Sequence, residues 1–177
     1  MPVETTAIAG LLVVRWDTHG DDRGFLRQTY QHDELRTALG REVALRQGNH
    51  ARSGAGVLRG FHAEPWEKLV YVVRGVPFCA IADIRPDSAT FTVGDPPGER
   101  IRLWVGEGLA NAYCTLTDLD YLYDVTAEYD PEADKRAVAW DDPDLAVSWP
   151  VETPELSEAD RRNPTLRERF PEHPYFT

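Results

Sequence analysis

Short apolar or alternating runs recur from residue 7 to about residue 140, each closed by a turn signal. The runs are Leu11–Trp16, Phe25–Tyr30, Glu42–Arg46, Val57–Phe61, Lys68–Val73, Pro77–Asp83, Thr90–Val93, Glu99–Val105, Asn111–Leu116, Asp120–Val125 and Ala137–Trp140. Alternation with a period of two marks strands that bury one face. Turns fall at Thr18-His19-Gly20-Asp21-Asp22, Arg85-Pro86-Asp87-Ser88, Gly94-Asp95-Pro96-Pro97-Gly98 and Thr117-Asp118. Many short strands at this spacing predict a mainly β fold, an antiparallel sandwich or barrel.

The central stretch, residues 47–75, reads as strand, turn, strand, loop, strand. Its turn is Ser53-Gly54-Ala55-Gly56 and its loop is Ala63-Glu64-Pro65-Trp66-Glu67. Arg59, His62 and Lys68 all fall inside it. Arg59 and His62 are three apart, so a plain strand puts them on opposite faces. A bulge at Gly60 brings them together.

Helical signals are few. His32–Leu39 carries Asp33 as a candidate N-cap and stops at Gly40. Ser157 caps a short helix through Asp160, and Pro164 suits the first turn of another, Thr165–Phe170. Pro150 and Pro154 bracket an extended link. The expected organisation is one domain, 1–177, with the barrel at about 7–140 and a helical tail at about 155–177.

Composition narrows the partners. A net charge of −11 argues against nucleic acid or an anionic membrane, and any anion site must rest on locally clustered cations. No apolar run approaches the roughly 18 residues of a membrane helix, and the N-terminus lacks the basic region of a signal peptide. Cys79 and Cys114 each sit in an apolar strand, as expected for buried free thiols of a cytoplasmic protein.

A barrel with an inward histidine raises the question of a metal, which would need several histidines and a carboxylate on one ion. Here Glu64 follows His62 at the next same-face position, and the later strand offers Asn111, so no metal and no cofactor are expected. Proton chemistry beside a ketone needs less. His62 has the natural pKa range of a base, Lys68 can meet a forming enolate oxygen, and Tyr123 is an acid for the opposite face. Arg59 and Arg23, with Asn49 and Gln47, can hold a phosphate group. Each residue also has a plain reading: Arg23 as a surface ion pair in its turn, Lys68 as a solvated charge, Asp160 as a helix cap, His62 as a structural strand residue.

The segments Asp22-Arg23-Gly24-Phe25, Gln47-Gly48-Asn49-His50, Gly56-Val57-Leu58-Arg59-Gly60-Phe61-His62 and Lys68-Leu69-Val70-Tyr71-Val72-Val73-Arg74-Gly75 stand in order along the chain. They are followed by Ala82-Asp83-Ile84-Arg85 with Thr90-Phe91, Glu107-Gly108-Leu109-Ala110, Tyr121-Leu122-Tyr123, Tyr129-Asp130-Pro131-Glu132 and Trp140-Asp141-Asp142-Pro143-Asp144-Leu145. In this order, from about residue 20 to 160, the chain resembles the dTDP-4-dehydrorhamnose 3,5-epimerase family. The resemblance implies a cupin-type, jelly-roll-like barrel, a homodimer, and metal-free action on a nucleotide-diphosphate 4-keto-6-deoxy sugar. It implies His62 as the base at C3 or C5, Asp160 as the carboxylate orienting it, Lys68 at the enolate oxygen and Tyr123 as the acid. Arg23 and Arg59 would hold the diphosphate; Phe25, Gln28, Gln47, Asn49, Asn111 and Tyr129 complete the substrate-binding set. The dimer would lend a strand from one subunit to the other, with Arg23 acting across the interface.

Three positions depart from the family pattern. Asn111-Ala112-Tyr113 replaces the usual His-Gly-Phe, Gln28 stands where a glutamate is usual, and the 63–67 loop is short and carries two acids. They point to a shifted substrate or to epimerisation at a single carbon. A ketoisomerase moving the keto group between C3 and C4, and a non-catalytic sugar-nucleotide-binding barrel, are the competing expectations.

Overall fold

A computed structural model of the chain describes residues 3–15, 17–85, 101–173 and 176. The runs at Thr90–Val93 and Gly94–Gly98 lie outside the described residues. The strands are β1 Val3–Thr5, β2 Leu11–Arg15, β3 His19–Asp21, β4 Gly24–Leu26, β5 Gln47–Ser53, β6 Leu58–His62, β7 Lys68–Arg74, β8 Pro77–Asp83, β9 Ile101–Val105, β10 Leu109–Thr115 and β11 Leu119–Val125. All named pairings are antiparallel: a six-stranded sheet in the order β1-β2-β9-β7-β11-β5, a three-stranded sheet β6-β10-β8, and the hairpin β3-β4.

The two larger sheets face each other as a mainly β, cupin-type, jelly-roll-like fold. Between them lie Val70, Leu103, Val105, Leu119 and Tyr121 from the first and Cys79, Ile81, Leu109 and Tyr113 from the second. The other face of the three-stranded sheet is covered as well. There Phe61, Ala80, Ala82, Ala110 and Ala112 pack against Val138, Leu145 and Leu166 of the C-terminal segment. This is why all seven residues of β10 are buried rather than every second one. Leu12, Val14, Leu69 and Trp104 on the outer face of the large sheet meet Leu35 of helix α1, His32–Leu39. Cys79 and Cys114 are buried and are not joined in a disulfide. Among the described residues no helix is long and apolar enough to cross a membrane.

Several local expectations are revised. Phe25–Tyr30 is strand only through Leu26, and His19–Asp21, read as turn, pairs with it as β3. Glu42–Arg46 forms no strand. Ala137–Trp140 forms none either, although Val138 and Phe61 exchange backbone hydrogen bonds, so the segment borders β6. Helix α1 is N-capped by Gln31 without a side-chain bond; Asp33 instead sits in the first turn, where its charge favours the helix dipole. Gly40 closes it at φ 67°, the left-handed conformation that glycine adopts without strain. The tail holds a 3₁₀ turn, Asp160–Arg162, and α2, Leu166–Arg169. Pro164 precedes the N-cap, Thr165, which forms a full capping box with Glu168.

Candidate active site

The bulge at Gly60 builds one wall of the site. His62 pairs with Asn111 and Arg59 with Tyr113, so three steps on β6 match two on β10. Gly60 has φ 130°, and a Cβ there would lie 2.6 Å from Ala112 Cα and 2.8 Å from the Asn111 carbonyl oxygen. No larger residue fits between the strands. The extra residue turns Arg59 and His62 onto the same inner face, where both line a chamber of about 130 Å³ with Glu64, Lys68, Asn111, Tyr113, Tyr121 and Tyr123. An outer cavity of about 420 Å³ shares His62, Glu64 and Tyr123 with it and extends past Gln47, Asn49, Trp66, Tyr129, Lys135 and Asn163.

His62 is oriented from the far end of the chain. Glu155 binds the edge of β6 through its backbone, donating to Gly56 and accepting from Leu58, and so carries Ser157 and Asp160 under the histidine. His62 Nε2 lies 2.6 Å from Asp160 Oδ1. A carboxylate only accepts, so Nε2 carries the proton and Nδ1 of the neutral ring is the basic nitrogen. Ser157 donates to the other carboxylate oxygen at 2.8 Å and accepts from the Asp160 amide at 3.0 Å. Burial alone would raise the Asp160 pKa. The hydrogen bond and charge of His62, with help from Ser157 and Arg59, overcome this and hold it below the usual carboxylate value.

Lys68 opens β7 with 5% of its surface exposed, so the solvated reading fails. Nζ forms an ion pair with Glu64, donates to Asn111 Oδ1 at 2.6 Å and lies 3.5 Å from the His62 carbonyl oxygen. Burial pushes its pKa down, and the charge and hydrogen bond of Glu64 oppose that. Tyr123 follows Tyr121 by two on β11, so both face inward. Tyr121 stacks on Tyr113 with centroids 4.3 Å apart, while Tyr123 reaches both cavities. Burial raises the Tyr123 pKa, Glu64 adds to it, and Arg59 works against it, so the phenol is a neutral donor at ordinary pH.

Arg59 donates to Ser53 Oγ at 3.0 Å. Gln47 donates to Asn49 at 2.7 Å and accepts from the Tyr129 amide at 2.8 Å, fixing three residues of the outer wall as one unit. Lys135 lies 4.5 Å above the Tyr129 ring. Arg23, Phe25 and Gln28 are not brought into these cavities within one chain. Arg23 is paired with Asp21, as the plain reading had it, and lines a separate concavity on the β3–β4 hairpin with Phe25. Gln28 accepts from Gln31 at 2.6 Å.

Glu64, Trp66, Lys135 and Asn163 line the site without having been singled out for it. Glu64 carried a signal, four residues before Lys68; Lys135 and Asn163 reach the wall only through the path of the tail and its preceding loop.

Comparison with known proteins identifies relatives of the chain as a whole. Residues 5–168 match the family model described as dTDP-4-dehydrorhamnose 3,5-epimerase. The Shigella flexneri enzyme of that name is 35% identical, over 90% of this chain and 93% of its own. The Streptomyces niveus dTDP-4-dehydrorhamnose 3-epimerase is 33% identical, over 91% and 82%. The structure of the Legionella pneumophila dTDP-6-deoxy-D-glucose-3,5-epimerase, solved with dTDP-4-keto-L-rhamnose, superposes with a TM-score of 0.85 at 31% identity, covering 94% of this chain and 93% of that one. With the match running across nearly the whole barrel and into the tail that carries Asp160, the chain belongs to the dTDP-4-dehydrorhamnose 3,5-epimerase family.

Proposed function

We propose that this chain inverts C3, C5 or both in a dTDP-linked 4-keto-6-deoxyhexose, with His62 as base and Tyr123 as acid. The observation that carries the assignment is the convergence of His62, Lys68 and Tyr123 on one small chamber. His62 Nδ1 removes the proton next to the C4 ketone; the C–H electron pair becomes the C=C bond of the enolate and the carbonyl π pair moves onto the C4 oxygen. Asp160 stabilises the imidazolium that results, and a Lys68 N–H meets the enolate oxygen. Tyr123 then returns a proton to carbon from the other face, and its phenolate is reprotonated as His62 gives up its proton. Arg59 holds the diphosphate, with Gln47, Asn49 and Tyr129 along the outer wall and Asn111 fixing Lys68.

The working unit is a homodimer in this reading. The hairpin supports it: Phe25 and Leu26 are 63% and 73% exposed, and Arg23 stands outside the cavity of its own chain. A hairpin that reaches a partner would bring Arg23, Phe25 and Gln28 to that partner's cavity mouth. Two buried thiols with no disulfide suit the cytoplasm as its compartment.

Incubation with dTDP-4-keto-6-deoxyglucose in deuterated water tests the chemistry. Deuterium at both C3 and C5 establishes a 3,5-epimerase; label at one carbon establishes a single-site enzyme. A keto shift from C4 to C3 assigns the ketoisomerase reaction instead. Binding without label in any position overturns the catalytic reading in favour of a binding protein. A monomer by sedimentation at working concentration removes the dimer.

A further inference from the structure

We propose that Glu64 is a positioning residue of this site: it keeps buried Lys68 in its ammonium form and fixes which of the three N–H donors is left for the substrate oxygen. The inference rests on the proposed epimerase chemistry for its purpose, but the geometry behind it does not. Lys68 is as buried as the core aliphatics around it, at 5% exposure, and a buried ammonium without a counter-ion loses its proton. Glu64 supplies that counter-ion from the loop between β6 and β7, four residues earlier in sequence.

Donor accounting then decides the geometry. An ammonium has three hydrogens and no acceptor capacity. One is engaged by the Glu64 carboxylate and one by Asn111 Oδ1 at 2.6 Å. The third has only the His62 carbonyl oxygen, at 3.5 Å, the limit of a hydrogen bond. This third donor is the one that an enolate oxygen can claim without breaking a good bond. Three acceptors around one nitrogen also match an ammonium better than an amine, which has two hydrogens.

Other charges around Lys68 do not replace Glu64. Arg59 and His62 on β6 are cationic or neutral, and Tyr113, Tyr121 and Tyr123 on β10 and β11 are neutral phenols raised by burial. Asp160 lies behind His62 and is bonded to it. On neighbouring elements Asp124 pairs with Arg102 and Glu67 with Arg41. Among the described residues, Glu64 is the carboxylate that forms an ion pair with Lys68.

The chain has two lysines, Lys68 and Lys135, so lysine labelled with ¹³C at Cε gives two resonances to follow by NMR. In the wild-type protein, Lys68 should be an ammonium at pH 7.5, with a midpoint below the ordinary lysine value because of its burial. In Glu64→Gln its titration midpoint should fall by roughly one to three pH units while that of Lys135 stays put. Glu64→Asp should restore most of the difference. The alkaline limb of kcat should move to lower pH in Glu64→Gln, with KM changed less than kcat. Removing Glu64 also lets Tyr123 ionise more readily, which moves that limb the same way, so the lysine resonance decides. A neutral amine at pH 7.5 in the wild-type protein overturns the proposal without any variant. So does a Lys68 midpoint unchanged in Glu64→Gln. Because the NMR titration needs no turnover, an inactive protein with the expected midpoints would reject the epimerase assignment and leave the role of Glu64 standing.

Discussion

The inner chamber and the β3–β4 hairpin both carry expected substrate-binding residues, and they are held in opposite ways. In the chamber, two functional side chains are held from elements distant in sequence, His62 by Asp160, 98 residues on, and Lys68 by Asn111, 43 residues on, with Glu64 adding a nearer ion pair to Lys68. In the hairpin, Arg23 is bonded to Asp21, two residues away, and its neighbours Phe25 and Leu26 face outward. Tertiary contacts pre-organise the first region; in the second, the cation expected at the substrate is held by a local ion pair. A preorganised donor set costs no rearrangement at the moment of reaction, which is what proton transfer at carbon requires. An exposed apolar hairpin finds its role only against another surface.

The largest effect is expected at the base, His62. His62→Asn should lower kcat by roughly 10²–10⁴-fold while leaving dTDP affinity within a few fold, as measured by initial rates and calorimetry. Loss of binding with loss of rate would place His62 in recognition instead. Gly60→Ala attacks the wall itself. Its Cβ has no room beside Ala112 and β6 has φ 130° there, so urea unfolding should report a loss of about 2–4 kcal/mol. The chamber should lose its His62–Asn111 register with it. Arg23→Ala probes the other region: KM should rise about tenfold with kcat little changed, since a phosphate partner remote from the reacting carbon strengthens ground state and transition state alike. A fall in kcat alone would put the hairpin nearer the chemistry than a binding role allows.

The smallest effect concerns acid stability. Asp160 has its pKa lowered in the folded chain, so its contribution is present above the unfolded value of about 3.9 and is lost as pH falls through the lower folded value. Asp160→Asn should therefore flatten the acid limb of unfolding free energy against pH, as read by urea unfolding across that range. An unaltered acid limb would mean that the His62 pairing is no tighter in the folded protein than hydration by water is.

Much of this was legible in the residues, for a physical reason. Alternation in Asp120–Val125 reports one buried face, and the period of two puts Tyr121 and Tyr123 on it; in β5, whose residues are mostly polar, the alternation shows only as burial in the fold. Glycine at position 60 signalled the bulge that unites Arg59 and His62, because only a residue without Cβ fits there. Helix boundaries were legible at Gly40, where the stop is a backbone requirement, and less so at Gln31, where no side chain makes the cap.

The chain's own residues settled most of the strands, several of their inward faces, and the candidates His62, Lys68, Tyr123 and Asp160 that the family pattern singled out. Only the tertiary structure decided their partners. It turned Lys68 from a free cation into one held by Glu64 and Asn111, carried Asp160 beneath His62 along the edge of β6, and left Arg23 outside the cavity. The reason is that periodicity is set by neighbours along the chain, whereas a charge is set by whatever the fold brings within a few ångströms of it, whether from the adjoining loop, as Glu64 to Lys68, or from far along the chain, as Asn111 to Lys68 and Asp160 to His62.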